Sequence, residues 1–243
     1  MTKNKLARFR ENESFAFLHQ PPFDEVWQKP FHLRGHWHER QFRNHNPITL
    51  ELGCGRGEYT VALATASPQE NFIGMDIKGA RLWVGAKASQ NAALDNVAFV
   101  RGRIETLLSF FAPSEVAHLW LTFPDPQLKE RRAKKRLTSP RFLQQYARIL
   151  APDGLIHLKT DSAELYAYTL ETVRELGGEI CHAYPAIDDH LDELPVLRIP
   201  TYYERYFRER GKPITYLAFS LPRAWQAREA ACVQTPHDFW LGE

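Results

Sequence analysis

Cysteine and methionine are scarce in this 243-residue chain, with three of the first (Cys54, Cys181 and Cys232) and two of the second. The cysteines are odd in number, scattered and without metal-ligand spacing. That argues against a disulfide framework or a zinc site and for the reduced interior of a cytoplasm. No apolar run approaches the ~18 residues that a membrane helix needs. The start, Met1-Thr2-Lys3-Asn4-Lys5, lacks the apolar core of a signal peptide. Neither sign of charge dominates: the formal net charge is +2, so the total says little and the distribution matters. No internal repeat, low-complexity tract or linker divides the chain. The length fits one α/β domain with embellishments, or at most two small ones, and 44% apolar with 25% charged residues is ordinary for a soluble globular protein.

Against this ordinary background stands Ile48-Thr49-Leu50-Glu51-Leu52-Gly53-Cys54-Gly55-Arg56-Gly57-Glu58-Tyr59. A β-favouring run ends in a carboxylate, breaks into three glycines at every second position, and resumes as a helix-compatible segment. That order predicts strand, tight turn and helix, the opening of a nucleotide-type site in a doubly wound α/β domain. The spacing is G-x-G-x-G, and Glu58 stands where a dinucleotide-type motif would carry its third glycine. Glu51 and Glu58 would repel a pyrophosphate but not the ammonium and sulfonium charges of S-adenosylmethionine. A glycine-rich turn with no ligand is the plain alternative.

The remaining chain alternates strands and helices, which implies a parallel sheet. Residues 1–46 hold no sustained period; they predict a partly irregular arm with one short helix. Residues 1–47 carry eight Lys/Arg against five Asp/Glu, and five of the ten histidines. His32, His36 and His38 lack the cysteine or paired carboxylate that would complete a metal site. The main domain spans 47–222 and a tail spans 223–243. Asn71–Asp76 predicts a second strand ending in Asp76, placed to accept hydrogen bonds from ribose hydroxyls or to cap the next helix. A helix follows at 79–93, a third strand at Val97–Arg101 and a short helix at 104–111. His118–Phe123 then reads as a buried strand stopped by Pro124-Asp125-Pro126, whose prolines fix a carboxylate at a strand tip. Six of the eight residues Lys129–Arg136 are basic. Following directly on that loop, they favour a polyanionic substrate over a merely solvated face. A helix from Ser139 to about Leu150 leads through Asp153-Gly154 into a strand that ends at Thr160-Asp161. Ser162–Leu176 reads as helix, Glu179–Tyr184 as strand and 186–200 as an irregular insertion. Thr201–Arg210 reads as helix and Ile214–Ser220 as the last strand. Acid at the strand tips suits a cationic methyl donor, and a basic rim suits nucleic acid.

Five motifs together carry a resemblance: Glu51-Leu-Gly-Cys-Gly-Arg-Gly-Glu-Tyr59, Ile73-Gly-Met-Asp-Ile-Lys78, Phe123-Pro-Asp-Pro126 with its basic tail, His157-Leu-Lys-Thr-Asp161 and Thr201-Tyr-Tyr-Glu204. Over roughly residues 30–220 the chain resembles the bacterial tRNA (guanine-46-N7)-methyltransferase family, whose members use S-adenosylmethionine. The resemblance implies a Rossmann-like, mostly parallel seven-stranded sheet with an antiparallel last strand and helices on both faces. It implies cofactor contacts from Glu51, Gly53, Gly55, Gly57, Asp76, Arg103 and Asp125, with Asp125 also at the methyl-transfer centre. It implies tRNA contacts from Lys129, Asp161, Thr201, Tyr202, Tyr203 and Glu204. Two positions depart from the family pattern. Arg103-Ile104 stands where many relatives have Asp-Ala, and Gln127 where Trp is common.

The implied reaction needs little. Guanine N7 has a free lone pair at neutral pH, so neither a general base nor a metal is called for, and alignment does most of the work. A nearby carboxylate such as Asp125 or Asp161 stabilises the positive charge that methylation puts on the purine. The rival readings are a non-catalytic RNA-binding protein on the same fold, a methyltransferase for another RNA or small molecule, and an NAD-dependent dehydrogenase. Monomer and homodimer both stay open.

Overall fold

The computed structural model describes residues 2–227; the last part of the expected tail, Cys232 included, lies outside them. In chain order, α1 (Thr2–Asn12), β1 (Leu18–His19) and α2 (Phe23–Val26) come from the N-terminal arm. A wide helical turn, Trp37–Phe42, leads into β2 (Ile48–Leu52), α3 (Glu58–Ala66), β3 (Asn71–Asp76) and α4 (Gly79–Asn91). Then follow β4 (Val97–Arg101), α5 (Leu107–Phe110), β5 (Val116–Thr122), α6 (Pro140–Ile149) and β6 (Leu150–Thr160). The chain continues through α7 (Ala163–Glu175), β7 (Glu179–Tyr184), α8 (Tyr202–Arg208), β8 (Thr215–Ser220) and α9 (Arg223–Ala227).

The strands form one sheet in the order β1-β4-β3-β2-β5-β6-β8-β7. Strand β8 runs antiparallel to both its neighbours and every other pair is parallel. The seven strands expected from the sequence are β2–β8. The eighth, β1, is a two-residue addition in which Leu18 and His19 pair with Phe99 and Val100. Such a short strand leaves no period to read.

Side chains alternate between the two faces of the sheet, as pleated strands require. Leu119, Leu121, Ile73 and Met75 face a core that includes Leu107, Phe142, Tyr146 and Leu165, from α5, α6 and α7. Trp120 and Phe72 face the other core, with Tyr59 and Leu63 from α3 and Leu82 from α4. Helices thus cover both faces, as a parallel sheet demands. The Asp153-Gly154 turn survives as a bulge inside β6: Val116 pairs with Leu150, but His118 pairs with Leu155. Helix α7 starts where Ser162 Oγ accepts the Leu165 N–H at 3.1 Å, a side-chain cap.

The arm is more ordered than its sequence period suggests, because its order comes from tertiary contacts. Glu11 accepts from Trp83 Nε1 and Lys87 Nζ on α4, both at 2.8 Å, and Asn12 Nδ2 donates to Gly79 O at 2.9 Å. Farther on, Trp37 is fully buried and its indole donates to Phe110 O at 2.9 Å. Glu115 receives the Gly35 and Ala112 N–H groups at 2.9 and 2.8 Å. His36 pairs with Glu39 at 3.3 Å and His38 meets the Asn46 carbonyl at 3.0 Å. No helix among the described residues is long and apolar enough to cross a membrane.

Trp37 therefore belongs to the same cooperative unit as the sheet. Trp37→Ala should destabilise the protein by about 3–5 kcal/mol, the scale for emptying a large aromatic site, measured by urea unfolding. A loss below about 1 kcal/mol would show that the arm folds apart from the sheet.

Candidate functional site

The carboxyl ends of β2, β3, β5 and β6 open into a cleft of about 980 Å³, where open α/β sheets bind ligands. Its first wall is the glycine turn. Gly53, Gly55 and Gly57 all have positive φ (+72°, +58° and +68°), and Gly57 also needs its missing Cβ. A Cβ there would stand 2.7 Å from the Phe99 ring and 3.2 Å from Gly85 Cα. Gly53 is the opposite case: a Cβ would meet nothing within 4 Å, so the turn borders open space.

Glu51 lines this wall although it is only 2% exposed. Its Oε2 accepts the Thr60 N–H at 2.9 Å and the Thr60 hydroxyl, while Oε1 accepts the Thr122 hydroxyl. One carboxylate thereby joins β2, α3 and β5. Burial pushes its pKa up to about 7, against the lowering effect of those hydrogen bonds. Asp76, at the tip of β3, braces the turn from behind. Its Oδ2 accepts the Gly55 N–H at 3.0 Å and its Oδ1 the Lys78 N–H at 2.7 Å.

The second wall is Thr122–Pro126. Phe123 and Gln127 adopt left-handed backbone (φ +48° and +46°), uncommon for non-glycine residues and typical of sites held in place by their surroundings. Between them Asp125 is exposed, and its Oδ1 accepts the Gln127 N–H at 3.0 Å. Arg136 folds back from the basic run and donates to Pro126 O at 3.2 Å, with its guanidinium 4.1 Å over the Tyr168 ring. Lys129, Arg131, Arg132, Lys134 and Lys135 are exposed beside the loop.

The third wall comes from the β6 tip and α8. Asp161 pairs with Lys212 at 2.9 Å, and both line the cleft. Beneath them Lys159 is wholly buried, bonded to Leu197 O at 2.8 Å, Ile199 O at 3.0 Å and Glu204 Oε2 at 2.6 Å. Desolvation lowers the lysine's pKa, and the Glu204 carboxylate opposes that shift. Thr201 caps α8 by accepting the Glu204 N–H at 3.0 Å, and Glu58 accepts the Tyr202 N–H at 2.6 Å. Helix α8 is thus fastened directly to the glycine turn. His157 lies flat on Trp120, with ring centroids 4.4 Å apart; burial pushes its pKa down to about 3 and keeps it neutral.

Of the residues singled out from the sequence, Glu51, Gly53, Gly55, Asp125, Asp161, Thr201, Tyr202 and Tyr203 line the cleft. Gly57 and Asp76 support the turn from outside the lining. Glu204 points inward to Lys159 and Arg208. Lys129 lies on the exposed basic rim. Arg103 stacks over Phe23 of α2 at 5.0 Å, away from the cleft lining. Sequence reasoning missed Arg81, Tyr206, Phe207 and Lys212, which also line the cleft. It also missed the roles of Lys159 and Glu58. A lysine directly after the buried Leu158, near the end of a central strand, was the available signal for Lys159.

The acid-lined turn can receive a cationic ligand, and the aromatic, basic rim can receive a π-rich anion. Comparisons with known proteins identify the family. Residues 45–217 match the model of a family described as "Putative methyltransferase". A tRNA (guanine-N(7)-)-methyltransferase of Christiangramia forsetii is 50% identical, over 90% of this chain and 99% of that one. Its counterpart in Porphyromonas gingivalis is 51% identical over 86% of each chain. Among solved structures, the 16S rRNA methyltransferase KamB overlays with a TM-score of 0.59 over 76% of this chain and 92% of its own. At 18% identity that likeness concerns the fold alone. Sequence identity, coverage and fold together show that the chain belongs to the tRNA (guanine-N7)-methyltransferase family.

Proposed function

We propose that this protein transfers the methyl group of S-adenosylmethionine to N7 of guanine 46 in the variable loop of tRNA. One observation carries the reading: a single cleft joins an acid-lined glycine turn, an exposed carboxylate fixed between two prolines, and an aromatic helix with basic neighbours. The relatives' names supply the tRNA and the guanine atom.

The residues fit the methyl donor. The turn borders open space at Gly53, and Glu51 provides a buried carboxylate beside it that is ionised above about pH 7. When bound, S-adenosylmethionine supplies a methyl carbon activated by its sulfonium. The N7 lone pair forms the new C–N bond as the C–S bond breaks, leaving a thioether and a positively charged purine. No residue has to remove a proton from N7, and neutral His157 is not asked to. Asp125 faces the developing charge, and its position is held by the left-handed residues on either side. Asp161 and Lys212 form the wall against which the base is oriented, and α8 closes that wall. The exposed Lys/Arg of 129–135 meet phosphate. Glu51 and Asp76 organise the turn, and Glu204 acts from beneath by holding α8.

Incubation with unmodified tRNA and S-adenosylmethionine, followed by nucleoside mass analysis, should yield 7-methylguanosine; a different methylated nucleoside would refute the assignment. Asp125→Asn keeps the size and the contact to Gln127 but removes the charge. Single-turnover methylation at saturating cofactor should fall roughly 10²–10³-fold, the scale for one preorganised electrostatic group. A wild-type rate would remove Asp125 from the mechanism.

Glu51 adds a pH dependence. A cationic ligand prefers the ionised carboxylate, and the group protonates below about pH 7. Affinity for S-adenosylmethionine should therefore weaken as pH falls from 8 to 6, approaching tenfold per unit at its steepest. Calorimetric titration of Glu51→Gln should show weaker binding without that slope. A slope unchanged in the variant would assign it to another group.

A further inference from the structure

Three of the large apolar side chains exposed among the described residues, Tyr202, Tyr203 and Tyr206, lie on the seven-residue helix α8. The helix is pinned at three points: the Thr201 cap, the Glu58 carboxylate on the Tyr202 N–H, and the buried Glu204–Lys159 pair. Pinning from within fixes the direction in which the outward rings point. Tyr206 follows Tyr202 by four residues, so the two share a face about one turn apart, roughly 6 Å. Both line the cleft.

Tyr206 has no structural duty that accounts for its exposure, which is 40%. Its ring meets Phe207 edge to face at 5.3 Å, and Phe207 stacks at 6.1 Å on Phe123, the residue before Pro124-Asp125. The Arg210 guanidinium lies 3.5 Å from the Tyr206 ring centroid, and its Nη1 donates to Tyr206 O at 2.7 Å. Arg56 stands likewise 4.9 Å over the Tyr202 ring. Rings that each carry a guanidinium suit a ligand that is both π-rich and anionic, as an unpaired nucleotide is.

Guanine N7 lies on an open edge of the base, but seating a loop guanine in this cleft splays it from its neighbours, as recognition of unpaired RNA commonly does. The base beside it then loses a stacking partner. On that reading Asp125 and Asp161 mark the part of the cleft that the target guanine must reach, and Tyr206 lines the same cleft one turn beyond Tyr202. We propose that Tyr206, with Arg210 held against it, forms a stacking platform for the nucleobase next to the target guanine. The proposal rests on the tRNA reading above and names a contact which that reading does not require.

Titration of full-length protein with unmodified tRNA, at saturating S-adenosylhomocysteine, tests it. Tyr206→Ala should weaken tRNA binding roughly 5- to 150-fold, the range for losing one base–aromatic stack. Tyr206→Trp and Tyr206→Phe should restore affinity to within about threefold, because any aromatic face stacks. Tyr206→Leu should behave like the alanine variant. The loss should lie in affinity rather than in the single-turnover rate at saturating tRNA. The melting-temperature rise with S-adenosylhomocysteine reports intact folding in every variant. Wild-type affinity in Tyr206→Ala overturns the platform while leaving the tRNA reading intact. So does rescue by leucine, which would indicate apolar packing, and so does a loss confined to the saturated rate, which would put Tyr206 on the target base itself. A wild-type protein that neither binds nor methylates tRNA overturns the tRNA reading, and the platform with it.

Discussion

The α8 side of the cleft hangs on one buried ammonium group. Lys159 lies inside the sheet with its Nζ out of water, and such a charge is tolerated only when its surroundings satisfy it. Its hydrogen-bond and ion-pair partners come from the stretch before and within α8: the carbonyls of Leu197 and Ile199, and the carboxylate of Glu204, while the Tyr59 ring of α3 faces it at 5.5 Å. An irregular segment with little periodicity of its own is thereby given a fixed path across the strand ends. Removing one member of such a pair leaves the other buried and uncompensated, typically at a cost of 3–5 kcal/mol. Lys159 and Glu204 are therefore best understood together, as the fastening that lets a seven-residue helix form a rigid wall.

The other wall is held by a carboxylate in a similar position. Glu51 collects donors from Thr60 and Thr122, so the turn, α3 and β5 cannot shift independently. The two walls meet where Glu58 takes the Tyr202 N–H. Glu58 is the residue that replaces the third glycine of a dinucleotide-type motif. Its carboxylate has a second consequence beyond discouraging pyrophosphate, because it ties the first turn of α8 to the glycine turn. The Arg56 guanidinium over the Tyr202 ring and the Tyr59 hydroxyl donating to Val196 O at 3.2 Å join the same two sides.

Features written in local sequence were the legible ones. Alternating strands and helices, the three glycines and the Pro-Asp-Pro tip each depend on a few adjacent residues, whereas the antiparallel run of the last strand came only with the family resemblance. What depends on distant partners was not legible. Helix α1 has no sustained period and exists because Glu11 and Asn12 find α4 and Gly79. Arg103 follows the third strand, where a cofactor contact was expected, yet Phe23 from 80 residues upstream draws its guanidinium aside. Glu204 sits in a motif that the resemblance ties to substrate, but its side chain points inward, since only the fold brings Lys159 beneath it. Tyr206 lies just beyond that motif, and nothing in its immediate sequence separates a rim tyrosine from a core one.

The acids of the cleft differ in a way that follows from burial. Glu51 is enclosed, and burial pushes its pKa up to about 7; Asp125 is exposed and accepts the Gln127 N–H. A reaction whose nucleophile needs no deprotonation gains little from a tuned base. It gains from a charge that is already in place when the purine becomes cationic. Such a charge must be held by backbone, because a mobile carboxylate would have to reorganise as the reaction proceeds. The left-handed conformations of Phe123 and Gln127, the two prolines and the Arg136 contact to Pro126 supply that hold from both sides. On the proposed function, the strained loop and the fixed carboxylate it carries act as one device, and the sheet beneath provides its rigidity.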